Sequence, residues 1–136
     1  MSWIDSMSVS LLEKDLDGLW VRQQAISDNL ANCETPGYKS KSVSFEDQLQ
    51  ALLSDKGETK SGMIGGIEGV SPVTTEASDE TYRADGNGVD IEKENLELAR
   101  NQLNYQCSLQ MASDEFSRLK TAISGIAFES GGTLSL

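Results

Sequence analysis

The side chains best suited to chemistry in this chain are carboxylates, and their spacing decides what they can do. DGNGVDIEKE has part of the pattern of a calcium loop, which requires Asp or Asn at its fifth position and Gly at its sixth, where Val89 and Asp90 stand. Calcium binding is therefore not expected. The glycines of GMIGGIEG lack the preceding strand and the following lysine-serine of a phosphate cradle. Paired carboxylates such as Asp15 and Asp17, or Asp79 and Glu80, fall in segments that read as solvated charged faces. The chain contains no histidine, which removes the commonest general base and metal ligand near neutral pH. Its two cysteines, Cys33 and Cys107, form no CxxC or Cys/His pattern. Buried free thiols are the expected state, with a disulfide or a reactive thiol as the alternative. No catalytic, cofactor-binding or metal-binding residue is expected, and the chain reads as not an enzyme. A hydrolase built on carboxylates alone would need an ordered pocket and a perturbed carboxylate, which the spacing does not encourage.

The partners allowed by charge are also narrow. Twenty-two acidic against eleven basic side chains leave a formal charge of −11, which repels nucleic acid and anionic lipid over most of the surface. Tyr38, Lys39 and Lys41 form the only basic-aromatic cluster, too small to make a nucleic-acid site against that background. MSWIDSMSVSLLEKDLDGLW carries Asp5, Glu13, Asp15 and Asp17 where a Sec-type signal peptide needs a basic and then an apolar segment, so no such signal is expected. No run approaches 18 apolar residues, so no membrane-spanning helix is expected either.

The elements that must position these residues are two long helices. Val9, Leu12, Leu16, Leu19, Gln23, Ile26, Leu30 and Cys33 follow one another at alternating steps of three and four, the seam of a helix about 37 Å long. Gly18 weakens it locally, by up to about 1 kcal/mol relative to alanine. A second seam runs through Ile91, Asn95, Leu98, Gln102, Tyr105, Leu109, Ala112, Phe116, Leu119, Ile123 and Ile126, with Asp90 as its N-cap. Between the seams, the amphipathic piece 43–53 precedes a segment holding seven of the twelve glycines, a loop with room for a short hairpin near Met63 to Val73.

The expected fold is therefore mostly α, with the terminal helices paired as an antiparallel coiled coil around a Gly-rich loop or short β-hairpin. The divisions are an N-terminal helix, 1–34; a turn and amphipathic segment, 35–53; a flexible Gly-rich linker, 54–88; a C-terminal helix, 89–126; and a coil tail, 127–136. Trp3, Ile4, Met7, Leu11, Trp20 and Val21 on the first helix, and Leu96, Leu103 and Met111 on the second, lie off both seams. Either the middle segment folds over them or neighbouring chains cover them, and the second reading is the one adopted.

In Thr35-Pro36-Gly37-Tyr38, proline fixes φ at the second turn position and glycine accepts the positive φ of a type II turn at the third. Thr35, preceding proline, leaves the helical region, so the first helix ends near Cys33 or Glu34.

The longer run Arg22 to Leu49 resembles the N-terminal signature of the flagellar basal-body rod and hook family, approximately N-[IL]-A-N-x-x-T-P-G-Y-[KR], filled by Asn29, Leu30, Ala31, Asn32, Thr35, Pro36, Gly37, Tyr38 and Lys39. Gly86, Asn87, Val89, Asp90, Glu94, Asn101, Leu103 and Tyr105 resemble the closing helix of the proximal rod group within it. Cys33-Glu34 departs from the small or polar pair usual there, and the tail is unmatched. The resemblance implies a structural subunit that builds the proximal rod, transmits torque and encloses the export channel. It implies type III export without a Sec signal, residence in the rod, and contacts with copies of itself, other proximal rod proteins, a rod adaptor of the FliE type, the MS ring and the export gate. The motif residues would then pack neighbouring subunits, Tyr38 anchoring against one of them, and Leu12, Leu16, Leu19, Ile26, Leu30, Leu98, Tyr105, Leu109, Phe116, Leu119 and Ile123 would form the coiled-coil seam. The heptads alone also allow a soluble homodimeric coiled-coil adaptor, which would form a discrete, stable oligomer in solution.

Overall fold

The computed structural model describes residues 3–55, 57–78 and 88–134, with side chains described from residue 6 to 125. The chain is mostly helical: α1 (Trp3–Ala31), β1 (Lys41–Ser44), α2 (Glu46–Ser54), α3 (Lys60–Gly69), β2 (Val73–Glu76) and α4 (Ile91–Leu134). Asn29 of α1 meets Glu94 of α4, Leu19 and Gln23 meet Asn101, and Asp15 meets Ser108, so the two long helices run antiparallel. At 1.5 Å per residue α4 continues past the start of α1 by roughly 20 Å.

Two expectations are corrected in the middle of the chain. The Gly-rich stretch is not a plain loop, because Thr59 caps α3 by accepting from the Gly62 N–H, and the helix places Ile67 in full burial. No hairpin forms at Met63 to Val73, since α3 occupies most of it. Among the described residues the two strands are β1 and β2, paired antiparallel with Lys41 opposite Glu76 and Ser44 opposite Val73. A third correction falls at the C-terminus: the helix does not stop near Gly125 but runs to Leu134, so the expected coil tail is helical over most of its length.

The core gathers where this middle region lies on α1. Leu19, Ala25, Val43, Phe45, Leu49, Ile67 and Val70 form it, with Met7, Leu11, Val21, Leu52, Met63 and Tyr105 packed around them. Met7, Leu11 and Val21, expected to be covered by neighbours, are thus half-buried against the core that the middle segment forms with α1. Full burial of a side chain such as Leu19, Phe45 or Ile67 contributes roughly 1.5 to 3 kcal/mol. Trp20, Leu96, Leu103 and Met111 remain exposed. The side chains of Trp3 and Ile4 lie outside those described.

Gly18 explains how the core closes on α1. A Cβ there would sit 2.5 Å from ring carbons of Phe45, a side chain only 1% exposed. The glycine that weakens the helix therefore admits the aromatic that anchors β1 and α2 to it. Arg22, one turn further on, places its guanidinium 4.9 Å from the centre of the same ring, donates to the Val43 carbonyl at 2.9 Å and pairs with Glu46 at 2.6 Å.

Candidate functional site

The main cluster of polar contacts in this molecule is structural, and it begins at Asn29. This residue is fully buried near the end of α1. Its Nδ2 donates to the Lys41 carbonyl at 2.8 Å and to Glu94 Oε2 at 3.1 Å. Its Oδ1 accepts from the Lys41 N–H at 2.8 Å and from the Tyr38 hydroxyl at 3.1 Å. One amide therefore serves the edge of β1 that β2 leaves open, the turn and the first turn of α4, with both donors and an acceptor in use. Only a primary amide offers that pattern at so short a reach.

The bend itself is held by short-range bonds. Asn32 Nδ2 donates to the Asp28 carbonyl at 2.9 Å, closing the end of α1, and its Oδ1 accepts from the Thr35 hydroxyl at 3.2 Å. The Tyr38 N–H reaches the Thr35 carbonyl at 3.2 Å and Gly37 takes φ 75°, the type II geometry expected of Thr-Pro-Gly-Tyr. Thr35, Pro36, Gly37 and Ala31 are exposed, while Leu30 and Tyr38 are half-buried. Helix α1 ends at Ala31, slightly before the expected Cys33 or Glu34. The Tyr38 hydroxyl turns inward to Asn29, and its side chain is half-buried.

Lys39 pairs with Gly88 in a parallel bridge, which brings the turn to the entrance of α4. There Val89 is buried and Asp90 caps the helix, its Oδ1 accepting from the Glu92 N–H at 3.1 Å and the Lys93 N–H at 3.3 Å. Gly86 and Asn87, expected in the same turn, lie outside the described residues. The two motif segments, over forty residues apart in the chain, thus meet in one knot through Asn29, Lys39 and Glu94.

Electrostatics around the knot follow from its contacts. Burial raises the Tyr38 hydroxyl above its ordinary pKa, with Asp28, Glu76 and Glu94 adding to the effect against the opposing charge of Lys41. The hydrogen bond to Asp28, 3.2 Å away, and that carboxylate's charge raise Lys41. At Glu46 burial pushes the carboxyl up, but the hydrogen bonds from Arg22 and the backbone outweigh it and hold the group below the usual carboxylate range. Among the described residues no group of three or more metal-ligating side chains comes together. Cys33 and Cys107 are both free, but neither is buried as expected: Cys33 is half-buried and Cys107 exposed.

The seam residues divide. On α1, Leu19 and Ile26 are buried and Leu12, Leu16 and Leu30 half-buried. On α4, Leu98, Tyr105 and Leu119 are half-buried, but Leu109, Phe116 and Ile123 are 51, 59 and 60% exposed. The most buried residues of α4 are Glu94, Asn101, Ser108 and Glu115, one heptad apart, and they alternate with the half-buried Leu98, Tyr105, Ala112 and Leu119. Hydrophobicity located the half of this stripe formed by Leu98, Tyr105, Ala112 and Leu119 and misplaced the other half by one residue, because polar side chains occupy it. Leu96 and Leu103 are also exposed but lie more than about 100° round α4 from Leu109, Phe116 and Ile123, and a cleft of about 260 Å³ opens between Val9, Leu12, Leu16, Ala112 and Phe116. Sequence reasoning also missed Phe45 and Arg22; the signal available was Gly18, a glycine inside a helix that marks a close approach.

Fold and site together define a mostly helical subunit with two long terminal helices, a polar knot where its motifs meet, and an apolar helix face left open to solvent. Among the described residues no helix is long and apolar enough to cross a membrane. No family model matches the chain. It is 36% identical over 123 residues to the flagellar basal body rod protein FlgB of Bacillus subtilis, which covers 88% of this chain and 95% of the relative. It is 32% identical over 132 residues to the protein of the same name from Borrelia hermsii, covering 88% and 98%, and 31% identical over 109 residues to that of Aeromonas hydrophila, covering 76% and 83%. The chain belongs to the flagellar basal body rod protein FlgB family.

Proposed function

We propose that this chain is a structural subunit of the bacterial flagellar basal-body rod, placed in its proximal part, and that it works by packing rather than by catalysis. The observation that carries the reading is the family relationship over nearly the whole chain. The open apolar face of α4 supports it, because a monomer gains nothing from exposing Leu109, Phe116 and Ile123, whereas each would contribute roughly 1.5 to 3 kcal/mol once covered by a neighbour. In the assembled rod α1 and α4 act as a coiled-coil wall around the export channel and transmit torque along it. The middle region braces α1 from outside, and the knot at Asn29 sets the angle between wall and brace. Contacts with other proximal rod proteins, the FliE-type adaptor, the MS ring and the export gate belong to this reading, as does type III export. The relatives are rod proteins, which gives no support to a soluble homodimeric adaptor.

Deletion of the gene in its host, followed by isolation of basal bodies, tests the proposal. The deletion strain should be non-motile and its basal bodies should lack a rod, and basal bodies from a complemented strain should contain the chain. A motile deletion strain with intact rods would refute it.

A further inference from the structure

The contact between α1 and α4 is made by an unusual set of side chains. Glu94, Asn101 and Ser108 follow one another at intervals of seven, each is buried, and each reaches α1 through a hydrogen bond. Asn29 donates to Glu94; Asn101 Nδ2 donates to the Leu19 carbonyl and to Gln23 Oε1, both at 3.0 Å; Ser108 Oγ donates to Asp15 Oδ2. Meanwhile the apolar heptad Leu109, Phe116 and Ile123, one residue round the helix, is more than half exposed, Phe116 at the rim of the cleft beside Leu12 and Leu16. A hydrophobic drive alone would reverse this choice, since turning α4 about its axis by roughly 50° would bring that heptad onto α1 and put the polar one in water.

We propose that Glu94, Asn101 and Ser108 form a register ladder that fixes which face of α4 meets α1, and so holds Leu109, Phe116 and Ile123 outward. Polar residues at repeating seam positions specify pairing at the expense of stability, because the wrong arrangement would leave each of them buried without a partner. The expense is visible here: Asn101 Oδ1 is buried with no hydrogen-bond partner, an atom that an apolar side chain would not strand. The ladder also fixes direction, since its rungs descend α1 from Asn29 through Gln23 to Asp15 as they ascend α4. Asn101 and Ser108 therefore determine orientation as well as filling space.

The inference stands on the fold alone, and its test in purified protein is separate from any test of rod assembly. The full chain carrying Cys33→Ser, Cys107→Ser and Leu109→Cys provides a reporter thiol on the outward face. With the ladder intact, iodoacetamide should label it at close to its rate in urea. Adding Asn101→Leu and Ser108→Leu should slow labelling at least tenfold while the melting temperature stays at or above that of the parent. Asn101→Ala with Ser108→Ala, which adds no bulk, should slow it at least threefold. Labelling rates equal to the parent in both variants would overturn the proposal. So would a loss of helicity in both, which would make the ladder a source of stability rather than of orientation.

Discussion

Replacing Gly18 by alanine sets two effects of opposite sign against each other. In an exposed helix interior the change favours folding by up to about 1 kcal/mol, since alanine gives up less backbone entropy. Here the new methyl would lie 2.5 Å from three ring carbons of Phe45, about 1 Å inside the optimal separation of carbon atoms. The ring has little room to retreat, because it is 1% exposed, belongs to the cluster containing Leu19 and Val43, and lies under the Arg22 guanidinium. Overpacking of this kind costs about 1 to 3 kcal/mol, so the steric effect wins and Gly18→Ala should destabilise the chain by about 1 kcal/mol net, with roughly 2 as the ceiling. Gly65→Ala supplies the control: it lies in α3 with nothing within 4 Å of its added Cβ, so it should stabilise by about 0.5 to 1 kcal/mol. Urea unfolding followed by circular dichroism reads both as shifts of the midpoint at constant slope. A rise in the midpoint for Gly18→Ala comparable to that for Gly65→Ala would refute the claim that this glycine exists to admit Phe45.

Asn29→Ala should lower stability by about 2 to 4 kcal/mol, because it strands the Lys41 N–H and carbonyl along with Glu94; hydrogen exchange should show the Lys41 amide losing protection before the α1 interior does. Gly37→Val meets no steric obstacle within 4 Å yet must hold φ 75°, costing about 1 to 3 kcal/mol in the turn; helicity of the purified chain should persist while rod assembly and motility are lost, and normal swimming would contradict the role of the bend. Because the Glu46 carboxyl is held below its ordinary pKa, the stability it contributes is present above the unfolded value near 4.3 and disappears as pH falls through the lower folded value. The half-exposed pair makes this contribution small, and Glu46→Gln should lose less of its urea midpoint between pH 7 and pH 3 than the parent does.

By itself the sequence determined the parts of this protein that depend on neighbours in the chain. The heptad spacing from Val9 to Leu30 and from Ile91 onward specifies two long helices, Asp90 starts the second, and Pro36-Gly37 sets the turn, because caps, turns and periodicity act over a few residues. The motif from Asn29 to Lys39 was legible as a pattern, but nothing in it revealed that the Asn29 amide would hold Lys41 and Glu94 at once. Tertiary structure decided that, and it decided which stripe of α4 is buried. Apolar periodicity pointed to Leu109 and Phe116, whereas hydrogen bonds from Asn101 to Leu19 and Gln23, and from Ser108 to Asp15, turn a polar heptad inward. Those bonds join residues more than seventy positions apart, so no local signal carries them. The same holds for the Gly-rich middle, whose composition reads as loop until Ile67 and Phe45 find α1 and the burial of their side chains offsets the entropy of ordering it.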